Sequence, residues 1–476
     1  MEERRNRIFK MNDRAVSAAV FSLFFAWLLA FPFEGQILYA IADSFNTEPH
    51  DMLFGAIAMH FAGLLLCGFF IKEIRFAKRL MLVSIAFCIL ASGVFFFPPS
   101  FLWMVAIISS SFLAGGFVAA WGFYLKESTP KNERIKTVAD GLIYSNILMI
   151  ALNMAAIHLT PQIGLSLSIL VLVTAIFFTL RLSPAGCGHH MVVSSNTQSG
   201  TTVCIGKPLA LLYLFVVIIT INSGLMYHVI NPAFAHLQWL TSWYWAVPYI
   251  AALYIMRNLP QKTNRTYILY VAISMIGFSF IAFIMLDRSA ASYLAVDTLM
   301  LGACGVYDLF WWSILGEMLD FDRNPAKVFG IGLSANVLGV LLGGLIGNAI
   351  APDGQNGWNP TLLALGVLCV TLSILPLLHR QLSLVLKDHA YLTALSEMPP
   401  EEQTKALYSV ISLGQLTRRE SEIADLLIRG KSYKKIAQEL CVSENTIKTH
   451  VRNIYSKIKI QSRAELTNLV MKQHSL

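Results

Sequence analysis

Charge is what this sequence has least of. Asp, Glu, Lys and Arg make up 13% of its 476 residues, where soluble globular chains carry roughly 25%. Hydrophobic residues make up 56%, and the mean hydropathy is +0.60. That deficit places the chain in the membrane class before any motif is read. Cysteine is equally uninformative as a scaffold. The seven cysteines (Cys67, Cys88, Cys187, Cys204, Cys304, Cys369 and Cys441) are odd in number and scattered, mostly in apolar runs. They form no disulfide framework and read as small buried hydrophobes. Cys187-Gly188-His189-His190, with Cys204 beyond it, matches no strong zinc spacing. Nucleophile–base pairs, phosphate loops and paired metal ligands are also missing, so neither catalysis nor a cofactor is expected.

What is present is length of apolar run. A helix needs about 20 residues to cross roughly 30 Å of hydrocarbon. Twelve stretches qualify, near 15–41, 52–71, 80–98, 101–124, 137–158, 161–182, 208–230, 237–256, 266–286, 290–318, 328–351 and 360–379. The loops between them are charged on alternate sides. One side collects Arg4, Arg5, Arg7, Lys10, Arg14, Lys72, Arg75, Lys78, Arg79, Lys126, Lys131, Arg134, Lys136, Arg181, Lys207, Arg257, Lys262, Arg265, Arg323 and Lys327. The other side has Arg288. Lys and Arg resist translocation, so the basic side is expected to face the cytoplasm. An even number of spans would return the C-terminus to the same side, in the inner membrane of a bacterium. Ala40-Ile41-Ala42 imitates a signal-peptidase site. The apolar stretch before it is too long for a signal peptide, and more spans follow, so it is read as part of the first span.

The longer middle loop, 183–206, separates two sets of six spans. This layout resembles the major facilitator superfamily, with two six-helix halves around a central cavity. The resemblance covers roughly 15–380 and is one of layout. The loop after the second span reads Gly68-Phe69-Phe70-Ile71-Lys72-Glu73-Ile74-Arg75, with Lys78 and Arg79 beyond. Lys72 stands where that family often has an Asp, which departs from a transporter's pattern.

The chain changes character near its C-terminus. Residues 413–476 hold twelve Lys/Arg and six Asp/Glu, net +6, while the remainder holds 24 and 22, net +2. A basic module on a near-neutral body is the footprint of a polyanion binder. Thr417-Arg418-Arg419-Glu420 forms a capping box, Ile423, Leu426 and Leu427 line one face behind it, and Gly430 stops the helix. A second short helix over about 432–440 carries Ile436, Ala437 and Leu440 inward. Cys441-Val442 turns the chain and Ser443 caps a third helix with Ile447, Val451, Ile454 and Ile458 inside. Ser462-Arg463-Ala464-Glu465 opens a fourth. Helix, tight turn and helix is the arrangement whose second helix enters the major groove. The outer stripe of that helix is Lys448, Thr449, Arg452, Asn453 and Ser456. Lys and Arg suit guanine O6 and N7, and the Thr methyl suits a thymine methyl. Lys434, Lys435, Lys457 and Lys459 suit phosphates, which fix position and not sequence.

Residues 416–466 resemble the LuxR/GerE family of bacterial DNA-binding domains. The resemblance rests on Leu416-Thr417, Arg419-Glu420, Gly430, Ile436-Ala437, Leu440, Ser443, Thr446-Ile447-Lys448, His450-Val451, Lys457-Ile458 and Arg463. It implies that Lys448, Thr449 and Arg452 face bases, and that the fourth helix makes a dimer contact. His450 touches phosphate or packs.

The fold expected is therefore all-α: a polytopic twelve-helix membrane bundle over 1–380, a helical connector over 381–415 and a four-helix DNA-binding domain over 416–476. Charges within spans are the default functional candidates. Glu34 lies in the outer half of the first span, and Asp308 near the middle of the tenth, with Asp297 nearer its outer end. With Asn222 and His228 of the seventh span, Glu34 and Asp308 form the candidate ligand set. The alternative is carboxyls protonated and hydrogen-bonded between helices. Gly330, Gly332, Gly339, Gly343, Gly344 and Gly347 in the eleventh span are read as close-packing positions. The function expected is membrane-bound transcription regulation by a small-molecule sensor that binds DNA as a homodimer among lipid. A secondary transporter with an attached DNA-binding domain is the rival.

Overall fold

The computed structural model describes residues 12–33, 35–47, 49–183, 206–259, 265–319, 324–350, 360–397, 415–428, 431, 433–460, 465–466 and 469. The ordered elements among them are helical. The chain divides into two compact units, one of residues 1–188 and 212–375, the other of 189–211 and 376–476.

The first unit is a multi-pass membrane bundle. Its first half comprises α1 (Asp13–Ala30), α2 (Gln36–Ser44), α3 (His50–Phe70), α4 (Ile74–Gly93), α5 (Phe101–Ser128), α6 (Arg134–His158) and α7 (Pro161–Arg181). Its second half comprises α8 (Gly206–Ala233), α9 (Gln238–Thr241), α10 (Ala246–Arg257), α11 (Arg265–Met285), α12 (Ala290–Met318), α13 (Pro325–Ile350) and the start of α14 (Pro360–Glu397). Among the described residues, 11 helices are long and apolar enough to cross a membrane.

Two expected spans differ from a simple rod. The first is broken: α1 ends at Ala30, and Pro32 and Gly35 intervene before α2. A proline lacks the N–H that would continue the helix. A Cβ on Gly35 would overlap the carbonyl of Ala30, so the chain folds back there only because glycine has none. The eighth span is built from two pieces. α10 has 12 residues, about 18 Å of rise and too short to cross alone. The segment nevertheless packs beside α12. Tyr244 bonds Thr298 near one end (2.7 Å) and Tyr249 bonds Asp308 in the middle (2.8 Å). Arg257, at the end of α10, reaches Asp140 of α6 (2.5 Å). The unwound turn between α9 and α10 explains why no single long helix appears there.

Close approach of backbones holds the bundle together, as expected where apolar burial gives helices no advantage over lipid. A side chain on Gly330 would meet Leu64 and Gly68 of α3, and one on Gly339 or Gly343 would meet α8 at Val217, Thr220 or Ile221. Gly332 faces Leu315 of α12 in the same way. Gly330, Gly332, Gly339 and Gly343 of the eleventh-span row thus sit where helices touch. Gly366 of α14, by contrast, has nothing within 4 Å of a built Cβ. Replacing Gly330 with Val is expected to cost about 1–3 kcal/mol or more through overpacking. Gly366→Ala should be neutral. Melting of the purified proteins in detergent, followed by size-exclusion, distinguishes the two.

Candidate nucleic-acid interface and membrane polar cluster

The C-terminal unit contains α15 (Arg418–Ile428), α16 (Tyr433–Glu439) and α17 (Glu444–Ile458). Their amphipathic periodicity closes one core from Ile423, Leu427, Ile436, Ile447, Val451 and Ile454, with Leu466 added from beyond α17. Most of the expected fourth helix lies outside the described residues.

Caps position these short helices. Thr417 N–H donates to Glu420 Oε2 (2.8 Å) and Glu420 N–H donates to Thr417 Oγ1 (3.3 Å), which is the reciprocal capping box. Ser443 Oγ accepts from Thr446 N–H (3.1 Å) and starts α17. Cys441 makes the turn before it at φ 52°, and Lys459 ends α17 at φ 58°. Both adopt the left-handed conformation that glycine or asparagine more often supplies.

With α17 fixed by its buried face, Lys448, Thr449, Arg452, Asn453 and Ser456 are exposed together. Lys448 forms an ion pair with Glu444 one turn back (3.1 Å). Such exposed pairs contribute little and exchange readily. The Thr449 hydroxyl donates to Asn445 O (3.1 Å), so its methyl remains for an apolar contact. Thr446 is exposed with its hydroxyl bonded to Ser443 (2.8 Å), and His450 is half-buried. Lys448, Arg452 and Ser456 line one open recess of about 440 Å³ with Tyr433 and Tyr455, two aromatic residues that sequence reasoning passed over. Lys435 is exposed on α16, while the side chain of Lys434 lies outside the described residues.

Lys457, exposed near the end of α17, also pairs within the domain. Its Nζ lies 2.6 Å from Glu420 Oε2, a carboxylate whose side chain is 6% exposed. It links the end of α17 to the cap of α15 while its side chain stays 38% exposed. No local signal announces a pair 37 residues apart in sequence. Partial burial opposes ionisation of Glu420, but hydrogen bonds from Lys457 and Thr417 outweigh it and hold the carboxyl below its ordinary value of 4.5.

In the membrane unit, Asp308 accepts from Tyr249 Oη (2.8 Å), and Tyr307 Oη pairs with Ser223 Oγ (2.6 Å) and Cys304 Sγ (2.8 Å). Ser223, Tyr227, Tyr249 and Asp308 are each partly accessible, on α8, α10 and α12. Asn222, on α8, is 1% exposed, and neither atom of its amide has a hydrogen-bond partner among the described residues. Asp297 is likewise buried with Oδ2 unpartnered. Glu34 and the side chain of His228 lie outside the described residues. Tyr249 meets Asp308, and Ser223 meets Tyr307, through tertiary packing, which span-by-span reading did not pair.

The Glu420 network has a measurable consequence. Because the folded carboxyl titrates below its unfolded value, its stabilisation is present above about pH 4.5 and is lost as pH falls through the folded value. Glu420→Gln should therefore destabilise the domain by about 1 kcal/mol near neutrality. The gap from the native chain should close in acid. Hydrogen exchange of the Ile423 and Ile447 amides in the full chain reads this directly.

Residues 414–470 match the family model described as bacterial regulatory proteins, luxR family. The same region is 45% identical over 56 residues to the HTH-type transcriptional regulator MalT of Vibrio campbellii. It is 41% identical over 58 residues to the CsgBAC operon transcriptional regulatory protein of Escherichia coli. Each match covers 12% of this chain, and respectively 6% and 27% of the relative's own length. Over 77% of the chain, the backbone is similar to the human organic anion transporter MFSD10, with TM-score 0.59, 14% identity and 100% of that chain covered. It is similar to a bacterial homologue of the iron transporter ferroportin in an outward-facing state, with TM-score 0.59, 15% identity, and 77% and 98% of the two chains covered. At such identities the likeness is one of fold. The chain thus joins a membrane unit that shares the fold of these transporters to a C-terminal region, residues 414–470, that matches the luxR-family model.

Proposed function

We propose that this protein is a membrane-bound, one-component transcription regulator that reads a small molecule in its membrane unit and binds DNA through α17. The observation that carries the reading is the exposed Lys448–Thr449–Arg452–Asn453 stripe on a capped helix inside a LuxR-family match. Lys448 and Arg452 bond guanine edges, Thr449 meets a thymine methyl, and Lys435 positions the domain on phosphate. Two copies bind a two-fold operator with half-sites about 34–36 Å apart.

The domains take the roles expected of them: residues 1–380 sense, 381–415 connect and 416–476 bind DNA. The ligand is held by Asp308 and Asn222, with Ser223, Tyr227 and Tyr249 beside them, and Glu34 and His228 belong to the same set. α14 runs from Pro360 to Glu397, 38 residues with Pro376 inside it. The connector over 381–415 passes the signal onward. The basic loops hold both termini in the cytoplasm, beside the chromosome, with the bundle in the inner membrane.

The transporter reading draws on the fold alone. Uptake of candidate solutes into vesicles separates the two, since a sensor accumulates nothing. For the regulator, operators recovered by chromatin pull-down should be lost in Lys448→Ala/Arg452→Ala. The logarithmic salt slope of the remaining non-specific binding should fall by about 2 if both side chains also neutralise phosphates. Retention of operator binding by the double variant would remove these two side chains from the interface.

A further inference from the structure

The two halves of the membrane unit are tied together at the basic end. Arg14, in the first turn of α1, and Arg257, in the last turn of α10, come from different halves and share the carboxylate of Asp140 on α6. Arg14 Nη2 lies 3.1 Å from Oδ2, and Arg257 Nε lies 2.5 Å from Oδ1. Arg14 also reaches Glu133 (3.3 Å) and donates to Thr137 (2.6 Å). Two further bonds cross between the halves at this end. Arg134 of α6 donates to Gly316 O of α12 (2.9 Å), and Asn324 donates to Gly68 O at the end of α3 (3.1 Å).

One layer deeper, Phe21 and Trp121 of the first half meet Trp312 and Phe329 of the second. Phe21 is 4.2 Å from Trp121 and 5.6 Å from Trp312, and Phe329 lies 6.0 Å and 5.7 Å from the two tryptophans, between ring centroids. None of the four is more than 5% exposed. Trp121 Nε1 is anchored on Ser17, at 3.1 Å to both its carbonyl and its hydroxyl. Asp308 lies about one helical turn farther from the basic end than Trp312, so the partly accessible polar cluster sits on the far side of this aromatic layer.

We propose that the aromatic layer and the Arg14–Asp140–Arg257 ion pair close the basic end, so that the ligand reaches the Asp308 cluster from the aqueous phase on the opposite face. The proposal rests on the sensor reading above and adds its direction: the protein reports on a solute outside the compartment that holds its DNA. The solute carries a hydrogen-bond donor, because Asp308 supplies an acceptor. Binding that draws the halves together on the outer face loads the ion pair on the inner one, since the halves move as rigid bodies about a central site.

The test uses the full chain with Ser223→Cys, and Tyr227→Cys as the second position should the first not fold. A membrane-impermeant maleimide is applied to right-side-out and to inside-out vesicles, and labelled peptides are assigned by mass spectrometry. Labelling of the introduced cysteine from the non-basic face, and not from the basic face, is the expected result. Adding Asp140→Asn should raise labelling from the basic face about tenfold, the change that about 1.4 kcal/mol lost from the closed form produces. Labelling of the native-latch chain from the basic face, or from neither face, overturns the proposal. Unchanged sidedness in Asp140→Asn overturns the role of the ion pair. Operator binding measured on the same vesicles reports separately: its absence with sided labelling intact removes the regulator reading and leaves the direction of entry standing.

Discussion

A bilayer will not accept an unpaired cation, and nearly everything in this molecule follows from where the cations therefore had to go. Lys and Arg accumulate at one end of the spans, and some of them are put to use there. Arg134 and Arg257 bond between helices of the two halves, and Arg14 shares the Asp140 carboxylate from within the first half. At the other end, Arg288 lies over the Phe283 ring (3.9 Å) and donates to its carbonyl (2.7 Å). The asymmetry that orients the chain thus also distributes its strongest inter-half contacts.

The C-terminal domain faces the opposite difficulty. It is small, its helices run from 7 to 15 residues, and such helices are marginal in isolation. Its stability rests on one apolar cluster and on caps that satisfy the free backbone groups. Glu420 serves twice, closing the capping box with Thr417 and receiving Lys457 from the far end of α17. The recognition helix is thereby fixed at its start by Ser443 and at its end by Glu420, and its outer stripe is held without being buried.

Local chemistry made much of this legible from the residues alone. The Thr417–Glu420 box, the Ser443 cap and the inward rows of α15 to α17 are short-range rules, and the structure obeys them. The eleventh-span glycines were readable for the same reason, because a missing Cβ has one meaning where helices touch. The breaks in the first and eighth spans were less visible. Hydropathy averages over Pro32 and over the turn at Ser242–Trp245, whereas a helix does not. The pairs Glu420–Lys457 and Asp140–Arg257 could not be read at all, since they join residues brought together only by the finished fold. At Asp308 the sequence supplied the carboxylate, but its partner Tyr249 depends on how α10 packs against α12.

The account depends on the membrane unit delivering residues 416–476 to the side that holds the chromosome. Among the described residues 11 helices are long and apolar enough to cross, and the account counts the shorter α10 with the turn before it as one further span, which gives the even number it needs. The most direct measurement is the sidedness of a short epitope fused after Leu476. In intact cells with only the outer membrane opened, the epitope should be shielded from added protease and antibody. It should become accessible once the inner membrane is breached. Access before that breach would put the basic domain outside the cytoplasm and contradict the account.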